Sequence, residues 1–182
     1  MLLPRFGEPA KYGARPAVAE VAANRPVHPI MLAAALSEAV YAAGSLPLRV
    51  REAARVTVAT VNQCQICLGL RADETADHGS EAVPDQEFYD AVLTGSTRGL
   101  APREALAAEY ARRFATDHLA MDDDLWARLR EAFTETELVD LAVSVGSWLA
   151  LGRMNQVFGV DAVCSVPVPG LRPAVPGTPP AP

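Results

Sequence analysis

The stretch Thr60-Val61-Asn62-Gln63-Cys64-Gln65-Ile66-Cys67-Leu68-Gly69-Leu70-Arg71 holds the residues best suited to chemistry. Cys64 and Cys67 are separated by two residues, a spacing that lets both sulfurs meet when the first sits at a helix start. The reactive species is the thiolate, and a helix N-terminus lowers a thiol pKa from about 8.5 toward neutrality. Asn62 and Gln63 are placed to end one helix and cap the next, which sets Cys64 near such a terminus. One cysteine then attacks a substrate and the other resolves the intermediate as an intramolecular disulfide. Spacing alone does not say which does which, and it leaves two inert, packed cysteines as an open reading.

Two other uses of a cysteine pair fit poorly. A structural zinc site draws four ligands, usually from two paired clusters. The chain offers three cysteines and three histidines (His28, His78, His118) with no second pair, so no metal or other cofactor is expected. A thioredoxin-like domain requires βαβ patterning, and none is visible. Cys164 stands alone near the end and reads as a packed small hydrophobe.

The surrounding elements must be helices. Residues from about Pro29 to Ala43 are rich in Ala and Leu and stop at Gly44. A segment starting at Ser45 or Leu46, with Pro47 in its first turn, carries Leu48 to Val61. Its Glu52, Ala53, Ala54 and Arg55 favour helix over the strand that Val56, Val58 and Val61 would suit. Leu68, Leu70 and Ala72 read as a second short helix reaching about Ala76. Pro84 and Pro102 open two more, Asp122 caps another, and Thr134 with Glu137 forms a capping box. The helix that follows runs to about Phe158. It is apolar over much of its circumference from Leu141 to Leu151, which places it at the centre or in a subunit interface. No strand or hairpin signal is present, so the expected class is all-α. Residues 1–27 read as an extended arm, 28–162 as the helical domain, and 163–182 as a Pro-rich tail of polyproline or disordered character.

Composition narrows the partners. The chain has 182 residues, half of them apolar, enough for a core without staples. A net charge of −6 argues against a nucleic-acid groove. No run approaches the roughly 20 apolar residues that span a bilayer, and the first residues lack a secretory apolar region. A cytoplasmic setting follows, where a close cysteine pair is catalytic or metal-binding more often than structural.

The run LPLRVREAARVTVATVNQCQICLGLR resembles the AhpD-like branch of the carboxymuconolactone decarboxylase family. The family pattern is Glu, eleven residues, Cys, two residues, Cys, three residues, His. Here Glu52 stands twelve positions before Cys64, and Cys67 follows in step. GLAPREALAAEYARRF and the run from Asp122 to Val160, with Arg153 and Asn155 or Gln156 near its end, are similar to the family's later helices. The resemblance spans about residues 28–162. It implies an all-helical protomer in homo-oligomers, trimers or hexamers, that reduces peroxides or disulfides at the expense of a thiol reductant. It also implies roles: Cys67 attacks, Cys64 resolves, and Glu52 handles the proton.

The chain departs from that pattern at the histidine, where Arg71 stands, and at Ile66, where an aromatic residue or His is common. Arginine does not deprotonate in proteins. As a helical neighbour of Cys67 it would stabilise a thiolate without supplying a proton, a loss of about 10²–10⁴-fold in rate. Weak peroxidase activity or a different substrate is therefore expected. His78 lies eleven residues past Cys67, about 16 Å along a straight helix, and reads as a loop histidine; His118 reads as a helix-end residue. Glu52 and Cys64 would be about 18 Å apart on one unbroken helix, so the proton-handling role requires a turn between Val61 and Gln63. Otherwise Glu52 is an exposed carboxylate paired with Arg49, Arg51 or Arg55. Two further functions stay open. One is a decarboxylase-type enzyme for a small lactone acid, which would not need the cysteines. The other is a redox-sensing or structural oligomer without turnover.

Overall fold

Pro29 to Phe158 form a succession of helices, and residues 170–173 return to them; the computed structural model describes residues 29–158 and 170–173. The elements are α1 (Pro29–Ala42), α2 (Leu48–Asn62), α3 (Gln65–Leu68), β1 (Leu70–Ala72), α4 (Gln86–Thr94), α5 (Pro102–Thr116), α6 (Asp123–Ala132), α7 (Glu135–Phe158) and β2 (Leu171–Pro173). One 3₁₀ turn, His118–Ala120, joins α5 to α6. The arm over 1–27, His28 and Cys164 lie outside the described residues.

The helix ends follow local chemistry. Asp85 and Asp122 accept hydrogen bonds from the amides of Phe88 (2.9 Å) and Leu125 (2.8 Å), which satisfies donors that a helix start leaves bare. Thr134 and Glu137 bond reciprocally as the capping box predicts. Glu104 reaches back to the Ala101 amide at 2.8 Å. Ser45 and Leu46 lie in the loop before α2, not in the helix. The Ser45 amide and hydroxyl donate to Asp140 on α7, each at 2.6 Å, and the Glu81 carboxylate caps the Leu48 amide.

The centre belongs to α2. All eight residues from Glu52 to Ala59 are buried, because α5, α7 and α4 pack around this helix. Its Val50, Ala54 and Val58 face the main core, with Leu106, Leu125, Leu129, Leu141 and Val145. Its Ala53 and Val56 face a smaller cluster with Phe88, Tyr89 and Val92. Of the two places expected for α7, the centre or a subunit interface, the centre goes to α2. Helix α7 buries Leu141, Val145 and Trp148 but leaves Val139, Val143 and Val157 exposed, since it covers α2 from one side only.

Two further expectations are corrected after the cysteines. The chain does not continue as helix to Ala76. It stops at Leu68, capped by Gly69, and Leu70–Ala72 form a strand. A strand also appears within the Pro-rich tail: β2 pairs antiparallel with β1, with Leu70 opposite Pro173, Arg71 opposite Arg172 and Ala72 opposite Leu171. The Asp73 amide donates to the Gly170 carbonyl at 2.8 Å, and Arg172 pairs with Glu74 at 2.6 Å. Three residues are too few to show alternation, and Pro173 sits at the strand end, where a missing N–H costs no ladder bond.

Candidate redox site

The turn between α2 and α3 places the cysteines. Gln63 takes a left-handed backbone conformation (φ 54°). The amides of Gln63 and Cys64 bond back to the carbonyls of Thr60 and Ala59, each at 3.1 Å, a Schellman-type stop. This is the reversal between Val61 and Gln63 that proximity to Glu52 requires. Cys64 is then the N-cap of α3, and its sulfur accepts from the Cys67 amide at 3.4 Å. Cys64 and Cys67 are joined as a disulfide with Cα atoms 5.3 Å apart, within the usual span. Cys64 is fully buried (0 %), whereas Cys67 is half-buried.

Beneath the turn lies a buried polar cluster. Glu52 is fully buried and bonds Arg55 through both oxygens, at 2.7 and 2.8 Å. One of those oxygens also accepts from the Tyr89 hydroxyl at 2.8 Å. Arg55 in turn donates to the carbonyls of Cys67 (2.7 Å) and Leu70 (3.0 Å). The Tyr89 hydroxyl accepts from the Ala72 amide at 2.8 Å. Burial alone would lower the Arg55 guanidinium pKa, but the adjacent Glu52 carboxylate overrides it and holds the pKa above its ordinary value. Burial, then the charge of Glu52, pushes the Tyr89 phenol well above its ordinary pKa. Arg55 therefore stays charged and Tyr89 stays a hydrogen donor.

The predicted site residues are placed as follows. Cys64 and Cys67 are together. Glu52 lies under their turn, but its hydrogen-bond partners are Arg55 and Tyr89, and neither sulfur is among them. Arg71 stands on β1, and its guanidinium donates to the carbonyls of Leu68 (2.8 Å) and Leu70 (2.9 Å). It stacks on the Tyr89 ring at 4.4 Å, so the helical adjacency to Cys67 assumed from spacing does not arise. His78 lies in the loop after β1, within hydrogen-bond distance (2.7 Å) of the Asp73 carbonyl. His118 is exposed on the 3₁₀ turn.

Tyr89 is the site residue that the sequence did not point to, and Arg55, named only as one possible partner of an exposed Glu52, is instead its buried partner. For Arg55 a signal existed, since it lies three residues from Glu52 on one helix face. For Tyr89 none did, because 37 residues separate it from Glu52. Among the described residues no group of three or more His, Cys, Asp or Glu side chains is arranged to hold a metal ion, and no helix is long and apolar enough to cross a membrane. The chain matches no model of a known protein family, no curated protein and no solved structure.

Proposed function

We propose that the chain is a thiol-dependent oxidoreductase of the AhpD-like kind, and that its preferred substrates are disulfides ahead of peroxides. The observation that carries the reading is the cysteine pair itself: a buried Cys64 at the helix cap and a half-buried Cys67, within disulfide reach of each other. The more accessible Cys67 meets the substrate. Its thiolate attacks one sulfur of a substrate disulfide, forming a mixed disulfide and releasing the other sulfur as a thiolate. The Cys64 thiolate, favoured by the Cys67 amide, attacks Cys67 and expels the second substrate sulfur. Substrate gains two electrons, the protein is left as the Cys64–Cys67 disulfide, and an external dithiol returns it to the reduced form.

The preference follows from proton supply. A leaving thiolate needs no proton, because its pKa is near 8.5. The alkoxide leaving a peroxide does, and the residue in the family's histidine place, Arg71, is committed to backbone carbonyls. Glu52 then serves as a positioning residue, holding Arg55 against the carbonyls of Cys67 and Leu70. Self-association into a trimer or hexamer belongs to the same reading. Exposed Leu32, Leu36, Val139 and Val143, on the mutually packed α1 and α7, support it.

Stopped-flow reaction of the reduced protein with a small aromatic disulfide and with cumene hydroperoxide tests the proposal. The disulfide should react faster, Cys67→Ser should abolish both reactions, and Cys64→Ser should trap a mixed disulfide. Turnover surviving loss of both cysteines would favour the lactone-type enzyme. A reversible disulfide without turnover would favour the sensing or structural role.

A further inference from the structure

A second feature lies on a different face of α2. Between α4, the loop after it and α5 is an open cavity of about 470 Å³, within the size range of small-molecule sites. Its lining is largely apolar, including Val92, Leu100, Leu106 and Ala108, with Thr57 of α2 also present. Thr57 is two residues from Arg55, about 200° around the helix. Cys64, Cys67 and Glu52 do not line the cavity.

The charges at its mouth are unequal. Glu109 is already neutralised, by Arg113 at 3.0 Å and Arg128 at 2.8 Å. Arg128 also reaches Asp124 at 3.1 Å. Arg112 lines the cavity and, among the described residues, forms no ion pair. Its guanidinium lies over the Gly95 turn, where an added Cβ would come within 3.4 Å of Nη2. Ser96, which follows Gly95 and also lines the cavity, has a hydroxyl that accepts from the Arg98 amide at 3.1 Å and, among the described residues, donates to no other group. In a chain of net charge −6, an uncommitted guanidinium and a free hydroxyl at the rim of an apolar hollow select for a particular ligand. A bare phosphate would leave the apolar walls uncovered, and a cation would face Arg112.

We propose that this cavity binds a small amphipathic carboxylate, its apolar tail against Val92, Leu100 and Leu106 and its carboxylate on Arg112 and Ser96. The site is independent of the redox reading and stands or falls separately.

The experiment is a titration of the full chain with octanoate, followed by ¹H–¹⁵N NMR, with octylamine as the charge control. Octanoate should shift the amides of Ser96, Leu100 and Ala108 with a Kd below about 1 mM, and octylamine should leave them in place. Arg112→Gln, a change at an exposed side chain, should weaken octanoate about ten- to a hundredfold. Ala108→Phe should remove binding by filling the hollow, with folding checked by thermal melting. Absence of saturable shifts at these amides, equal binding by octylamine, or unchanged affinity in Arg112→Gln would each overturn the proposal.

Discussion

Two faces of α2 are built on different physics. One face presents Val50, Ala54 and Val58 to the main core, where attraction is non-directional and scales with apolar area removed from water. The other presents Glu52 and Arg55, both almost fully buried, to the cysteine turn. There the energy depends on angle and distance, and a buried ion pair is weak support for stability in itself. What the pair does is hold backbone. Through Arg55 it grips the carbonyls of Cys67 and Leu70, and through Tyr89 it grips the Ala72 amide. The apolar face makes the domain stable; the charged face makes one short turn specific.

The sharpest way to break this comparison is to remove one charge. Glu52→Leu strands Arg55 in the interior and should cost about 3–5 kcal/mol in urea denaturation. The double variant Glu52→Leu with Arg55→Met should recover at least half of that loss, yet show faster amide exchange at Cys67 and Ala72. Equal losses in the single and double variants would mean that charge pairing is not what governs this face. On the apolar face, Leu129→Ala empties a fully buried position and should cost about 2–5 kcal/mol. Its cysteine labelling rate should stay unchanged, and a changed rate would show that the two faces are coupled.

A smaller effect is expected where α7 crosses the end of α2. A Cβ on Gly152 would come within 2.5 Å of Asn62 Nδ2, and that amide is already held by the Trp148 carbonyl at 3.1 Å. Gly152→Ala should therefore cost about 1–3 kcal/mol. Adding Asn62→Ala should make the two changes non-additive in a double-mutant cycle. Strict additivity would mean that the two residues do not meet.

The smallest effect concerns pH. The Ser45 hydroxyl and amide hold the Asp140 carboxyl below its ordinary pKa. A depressed folded value contributes stability that is complete above the unfolded carboxyl pKa and is lost as pH falls through the folded one. Ser45→Ala should thus lower stability at neutral pH by no more than about 1 kcal/mol, given solvent screening. The difference should vanish once pH has fallen below the folded carboxyl pKa. A difference that persists in acid would assign the effect to the loop rather than to the ionised carboxylate.

Most of the fold was legible because its signals are local. Pro102 at a helix start, Asp122 as a cap and the Thr134–Glu137 box act within one turn of chain, and each appears where the sequence predicts it, whereas Pro47 and Pro84 stand just before the helices they were expected to open. The cysteine turn was legible for the same reason. The strand pair was not: Leu70–Ala72 meets Leu171–Pro173 across about a hundred residues, and neither segment is long enough to display a period. Nor could periodicity give the central place to α2 over α7, since α2 carries Arg49, Arg51, Glu52 and Arg55 and reads as the more polar of the two. What decides it is how many neighbours each helix acquires.

By itself, then, the sequence determined that the chain is mainly helical, where most helices begin and end, and that two thiols share one turn. Tertiary structure decided what surrounds those thiols. It buried Glu52 instead of leaving it in water and set Arg55 against the cysteine backbone. It brought Tyr89 in from another helix, and it turned Arg71 toward carbonyls and an aromatic ring. Helix starts and turns depend on interactions between residues a few positions apart, which spacing encodes. The partner of a buried charge is set by packing between distant segments, which spacing does not.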